Sequence, residues 1–90
     1  MQTTHIHSWI YKSLKHDALY VYLTQADDFS VIPKDLMLRL GKLQLVMDLA
    51  LSSTRSLAQE DVVQVMRNLS ESGFHLQLPR NLSPQLYYGD

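Results

Sequence analysis

There is no cysteine among the 90 residues, and glycine and proline occur only three times each. Without cysteine no disulfide can staple the fold, and thiol catalysis and Cys-ligated zinc are excluded. The glycines, at positions 41, 73 and 89, are too dispersed to form a phosphate-cradling loop. Long apolar runs are also missing. The most apolar stretch, Ala18–Leu23, is six residues, far short of the ~20 that span a bilayer, so no membrane association is expected. Neither charge dominates: eight Lys/Arg face nine Asp/Glu, for a net charge of −1. That balance gives no bulk attraction to a phosphate backbone and argues against nucleic acid as a partner. Lys12, Lys15 and His16 come closest to a local basic spot. Met1–Ser8 lacks the basic and apolar regions of a secretory signal, which leads us to expect a cytoplasmic protein.

Hydrophobic residues make up 46% of the chain, enough for a core, and the length suits one small domain. Ile6–Lys12 is rich in strand formers. In Ala18–Thr24, Leu19, Val21 and Leu23 alternate with Tyr20 and Tyr22 at the strand period of two. The polar residues between the two segments predict a β-hairpin. Asp27-Asp28-Phe29-Ser30 reads as a turn, after which Pro33 at the first helical position opens a short helix ended by Gly41. Leu43, Leu45, Met47, Leu49 and Leu51 alternate with Gln44, Val46, Asp48 and Ala50. This predicts a strand inside the sheet, because Val46 and Ala50 lend its second side apolar character.

Ser56 with Gln59 fits a capping box for the next helix, with Glu60 and Asp61 near its positive end. Val62, Val65, Met66 and Leu69 form one apolar stripe, with Gln64, Arg67, Asn68 and Glu71 facing away. Gly73 stops that helix, and Phe74–Leu78 forms a last strand stopped by Pro79. The expected architecture is a single α+β domain, ββαβαβ, with about four strands in an antiparallel or mixed sheet flanked by two helices. The domain spans residues 1–79, and 80–90 reads as a flexible tail. The expected core is Val21, Leu36, Leu40, Leu45, Met47, Leu49, Val62, Val65, Met66, Leu69, Leu76 and Leu78.

Several strings occur in a fixed order: Ile10-Tyr11-Lys12-Ser13, Asp17, Tyr20-Val21-Tyr22, Asp27-Asp28-Phe29-Ser30 with Pro33, and Gly41. They continue with Leu57-Ala58, Asp61-Val62 and Gly73-Phe74-His75-Leu76-Gln77-Leu78-Pro79. In that order and spacing the sequence resembles the bacterial YcgL-domain family from about Ser8 to Pro79. The resemblance implies a small sheet flanked by helices and supplies no catalytic residues.

The chemistry-bearing residues do not assemble into a catalytic motif. His5 and His7 share one side of a strand, but a metal site needs a third ligand and supporting hydrogen bonds. Asp27 and Asp28 suit turns and caps better than paired acid–base work. Met37, Met47 and Met66 read as core fillers. No cofactor, metal or catalytic residue is expected, and the balance is against an enzyme, with a hydrolase or transferase using His75, Asp17 or Lys12 as the alternative.

The tyrosines say more. One side of the second and last strands is aliphatic or Phe, whereas the other carries Tyr20, Tyr22, His75 and Gln77. Mixed aromatic and polar character suits an intermittently covered surface. Lys12, Tyr20, Tyr22, His75 and Gln77 are therefore the candidate binding surface of a non-enzymatic module for a protein or small molecule. A hairpin loop of odd length, such as five residues with Lys12 opposite Ala18, places Trp9 and Tyr11 beside Leu19 and Val21. An even loop would gather Trp9, Tyr11, Tyr20 and Tyr22 into an aromatic platform fit for single-stranded nucleic acid.

Overall fold

The computed structural model describes residues 5–55, 57 and 60–79. The expected capping pair Ser56 and Gln59 and the tail 80–90 lie outside the described residues. Four strands, β1 (His5–Ser13), β2 (Tyr20–Leu23), β3 (Leu43–Ser52) and β4 (Phe74–Gln77), make one antiparallel sheet in the order β3-β1-β2-β4. A single 3₁₀ turn (Phe29–Val31) and helix α1 (Lys34–Leu40) link β2 to β3; helix α2 (Val62–Ser72) links β3 to β4. The element order is the expected ββαβαβ.

The β1–β2 hairpin is held at its tip by Ser13. Its backbone N–H donates to the Leu19 carbonyl at 2.9 Å. Its hydroxyl donates to the Leu40 carbonyl at 2.7 Å and accepts the Lys15 and His16 N–H groups at 3.1 and 3.0 Å. One small side chain thus closes the loop and ties it to the end of α1. Lys12 pairs with Tyr20, not Ala18, so the loop is two residues longer than the five expected. The parity is unchanged, and with it every side-chain direction. Trp9 and Tyr11 stand opposite Leu23 and Val21, while Ile10 and Lys12 join the tyrosines.

Pro33 caps α1 from just outside instead of occupying its first position, and Gly41 ends the helix with φ +71°, where a side chain would be strained. The α2 cap is Asp61, whose carboxylate accepts the Val63 N–H at 3.0 Å. This replaces the Ser56 cap expected from sequence, and it fits because aspartate both satisfies an orphan donor and favours the positive helix end. Gly73, left-handed at φ +85°, closes α2 through its N–H to the Leu69 carbonyl.

The helices pack on opposite sides of the sheet. On one side Tyr11, Leu19, Val21, Leu23 and Leu76 pack with Ile32, Leu36 and Leu40 from the α1 region. On the other, Ile10, Tyr22 and Leu51 pack with Val62, Val65 and Leu69 of α2. Each crossover buries its own apolar stripe, so two small cores share one sheet.

The expectation for β3 fails in one respect. The strand forms, but at the edge of the sheet, and Leu45, Val46 and Met47 are each about half exposed. Leu45 and Met47 are therefore not core residues, and Leu49, Met66 and Leu78 are only half-buried. The cause lies in pairing order: β2 and β3 flank β1, and β4 takes the far side of β2, leaving nothing beyond β3. A bulge at Val46 also breaks the register, since Ile10 faces Met47 while the next residue, Tyr11, faces Leu45. Bulges of this kind bend an edge strand and discourage further pairing.

Candidate functional site

Register brings all five sequence-predicted residues to one side of the sheet. Lys12 faces Tyr20, which faces Gln77; Ile10 faces Tyr22, which faces His75. They divide into two groups by depth. Tyr22 and His75 lie under α2 at 5% and 8% exposure. Tyr20 and Gln77 are half-buried and Lys12 is exposed.

The buried pair sits in a chain of hydrogen bonds. Gln64 Nε2 donates to Asn68 Oδ1 at 3.0 Å, and Asn68 Nδ2 donates to His75 Nδ1 at 2.9 Å. His75 Nε2, which then carries the proton, donates to Glu60 Oε1 at 2.6 Å. The Tyr22 ring meets the imidazole edge-on, with centroids 5.4 Å apart. Asn68 therefore faces the sheet, not solvent as its place on the helix suggested. Burial pushes the Tyr22 phenol above its ordinary pKa, and the electrostatic influence of Glu60, then of Tyr20, adds to the shift. Both imidazole nitrogens are occupied by protein groups, so His75 clamps α2 to the sheet and has no free nitrogen to offer a substrate. Sequence gave no signal for Glu60 and Asn68 as its partners, because they come from different elements.

Beyond the reach of α2 the same side of the sheet opens into a cavity of about 260 Å³, lined by Ile10, Tyr20, Tyr22, Val46, Met47, Leu49 and Gln77. Tyr22 joins the two halves: its ring is buried beside His75, and its hydroxyl donates to Gln77 Oε1 at 2.8 Å. The groove has an aliphatic wall from β1 and β3 and a floor of two phenols and one amide. Val46, Met47 and Leu49 were absent from the expected surface. Their signal was present as three consecutive apolar residues, Leu45-Val46-Met47, in a strand that otherwise alternates. Such a run marks the bulge that turns both Val46 and Met47 towards the groove. His75 and Lys12 do not line the cavity, although Lys12 follows Ile10 along the same side of β1.

The remaining candidates resolve into structural roles. Asp28 caps the 3₁₀ turn by accepting the Ser30 N–H. Asp27 accepts the Tyr11 hydroxyl proton at 2.9 Å, and its N–H donates back to the same oxygen at 2.7 Å. His7 bonds Asp48 across the β1–β3 ribbon at 2.6 Å, and no group of three potential metal ligands occurs among the described residues. Trp9 and Tyr11 lie on the side away from the tyrosine pair, so the four-ring platform does not form. Among the described residues no helix is long and apolar enough to cross a membrane.

Residues 8–80 match the YcgL domain. The chain belongs to the YcgL-domain family. A YcgL domain-containing protein of Xanthomonas campestris pv. campestris (strain B100) is 44% identical over 77 residues, covering 86% of this chain and 90% of the relative. One from Stenotrophomonas maltophilia (strain K279a) is 42% identical over 78 residues, covering 87% and 91%. The Escherichia fergusonii protein YcgL is 44% identical over 70 residues, covering 78% and 72%. The YcgL match spans every strand and helix that builds the groove from Ser8 onward.

Proposed function

We propose that this YcgL domain is a non-enzymatic recognition module that holds an apolar group of its partner in the groove beside α2. The observation that carries the reading is the groove itself: Val46 and Met47 stay half exposed beside two phenols and an amide. A concave apolar surface with a few converging polar groups has the character of a ligand site. Phenols and amides at its floor orient a ligand through hydrogen bonds, and the raised pKa of Tyr22 keeps its hydroxyl protonated at neutral pH, a donor and not a general base. We place this activity in the cytoplasm.

The test is affinity capture on immobilised protein, comparing the unaltered chain with Tyr20→Ala and Met47→Asp. Loss of the same captured species with both variants, at unchanged circular dichroism, is the expected result. Undiminished capture by both variants would remove the groove from the function. Tyr22→Ala is not used, because Tyr22 is buried and its loss would unfold the site.

A hydrolase or transferase remains the alternative reading, and its best group is the His75–Glu60 pair. It would require Glu60 or Asn68 to release the imidazole. Turnover of an ester or phosphate substrate that disappears in His75→Gln would favour it.

A further inference from the structure

Resting on the groove as a binding site, we propose that its ligand is a small amphipathic carboxylate, with its apolar body in the groove and its charged head between Lys12 and Tyr20. Two polar groups at the hairpin end of the groove carry this. Lys12 and Tyr20 are direct cross-strand partners on the groove side, so their Cβ atoms are about 5 Å apart and their functional groups reach one small volume. Neither is committed elsewhere: among the described residues, the Lys12 ammonium has no ion pair and the Tyr20 hydroxyl no hydrogen-bond partner. Gln44, opposite Lys12 on its other flank, adds no negative charge.

The rest of the groove wants no charge. Ile10, Val46, Met47 and Leu49 offer only apolar surface, and the cavity of about 260 Å³ falls just below the size that takes drug-like molecules. A chain of about eight carbons fits that space, and a carboxylate is the head group that satisfies a cation and a phenol donor together. A phosphate-bearing nucleotide would bring the several polar edges of its sugar and base into the groove, where the Tyr22 hydroxyl and Gln77 Oε1 already bond each other and the aliphatic wall offers no partner, so their burial is costly. A cationic ligand would be repelled by Lys12.

The experiment is an NMR titration of the full chain with octanoate and, separately, with octanol. The protein carries ¹³C-methyl methionine and ¹⁵N amides, and the titration is repeated on Lys12→Gln and Met47→Asp. Saturable shifts at Met47 and at the Lys12 and Tyr20 amides are expected with octanoate, in the range of about millimolar affinity typical of a fragment in an open site. Octanol should bind the same groove about threefold to fivefold more weakly, the scale of one exposed ion pair. In Lys12→Gln, or in 1 M salt, the two ligands should become equal. Met47→Asp should abolish both.

Equal affinity for octanoate and octanol in the unaltered chain would overturn the carboxylate assignment while leaving the groove as a binding site. Shifts confined to Met37 or Met66 would overturn it by placing the ligand elsewhere. Absence of binding by either ligand at several millimolar would also overturn it. The broader recognition reading would then be decided by the capture experiment, which does not depend on ligand class.

Discussion

Leu51 and Met47 belong to the same strand and project from the same side of the sheet, yet one is wholly buried and the other half exposed. The three residues between them cross the boundary of α2. Leu51 packs with Val62, Val65 and Leu69; Met47 has only the groove in front of it. Burial on this side is decided by which part of the sheet the helix can reach. Helix α2 spans Val62–Ser72, about 16 Å at 1.5 Å per residue, and it covers one half of the surface only. The uncovered half is the candidate site.

Truncation at each end sharpens the contrast. Leu51→Ala and Leu69→Ala each remove a fully enclosed side chain and should lose roughly 2–5 kcal/mol in urea unfolding. Met47→Ala should lose less, about 1 kcal/mol, since half of its surface stays in water. A loss at Met47 as large as that at Leu51 would mean that something covers the groove in solution.

Tyr22 stands on the boundary, and its variants divide the effect of burial from that of the hydroxyl. Tyr22→Phe keeps the ring and loses the bond to Gln77, for roughly 0.5–1.5 kcal/mol. The phenol also shapes the alkaline limb of stability. Its pKa is raised in the folded state above the ordinary value of 10.0, so its contribution is complete below about pH 10. It is lost as pH rises from there through the folded pKa. Tyr11 shifts in the same direction, chiefly through burial. Unfolding curves between pH 9 and 11 should therefore slope downward, and less steeply in Tyr22→Phe.

The smallest expected change has the opposite sign. Ser8 is fully buried on the α2 side of β1, and its hydroxyl has no hydrogen-bond partner among the described residues. Ser8→Ala removes an unsatisfied polar group and should leave stability equal or raise it by up to about 1 kcal/mol. A clear loss in thermal unfolding would show that the hydroxyl finds a partner in solution.

Much of this was legible in the chain. The period of two in Ala18–Thr24 and Phe74–Leu78 assigned each side chain its direction, and the i, i+3, i+4, i+7 stripe of α2 named the residues it buries. The tyrosines and Gln77 were picked out because a polar-aromatic strand side needs an explanation. The place of β3 was not legible. Alternating Leu and Met residues specify a strand, but its position at the edge follows from pairing with β1 some 40 residues away in sequence. For the same reason Met47 and Leu45 read as core in the chain and stand half exposed in the fold. His75 was placed on an open surface because nothing local reveals that α2 brings Glu60 and Asn68 against both its nitrogens.

The central claim is that the open half of the sheet, and not either packed half, is where recognition occurs. The methionines provide the test, since Met37 lies with the α1 core, Met66 beside the α2 core and Met47 in the groove. The measurement is the ¹³C-methyl spectrum of the unaltered protein before and after saturation with the partner retained by affinity capture. A shift or broadening of Met47 with Met37 and Met66 unchanged is the predicted result. Movement of Met37 or Met66 while Met47 stays still would contradict the account.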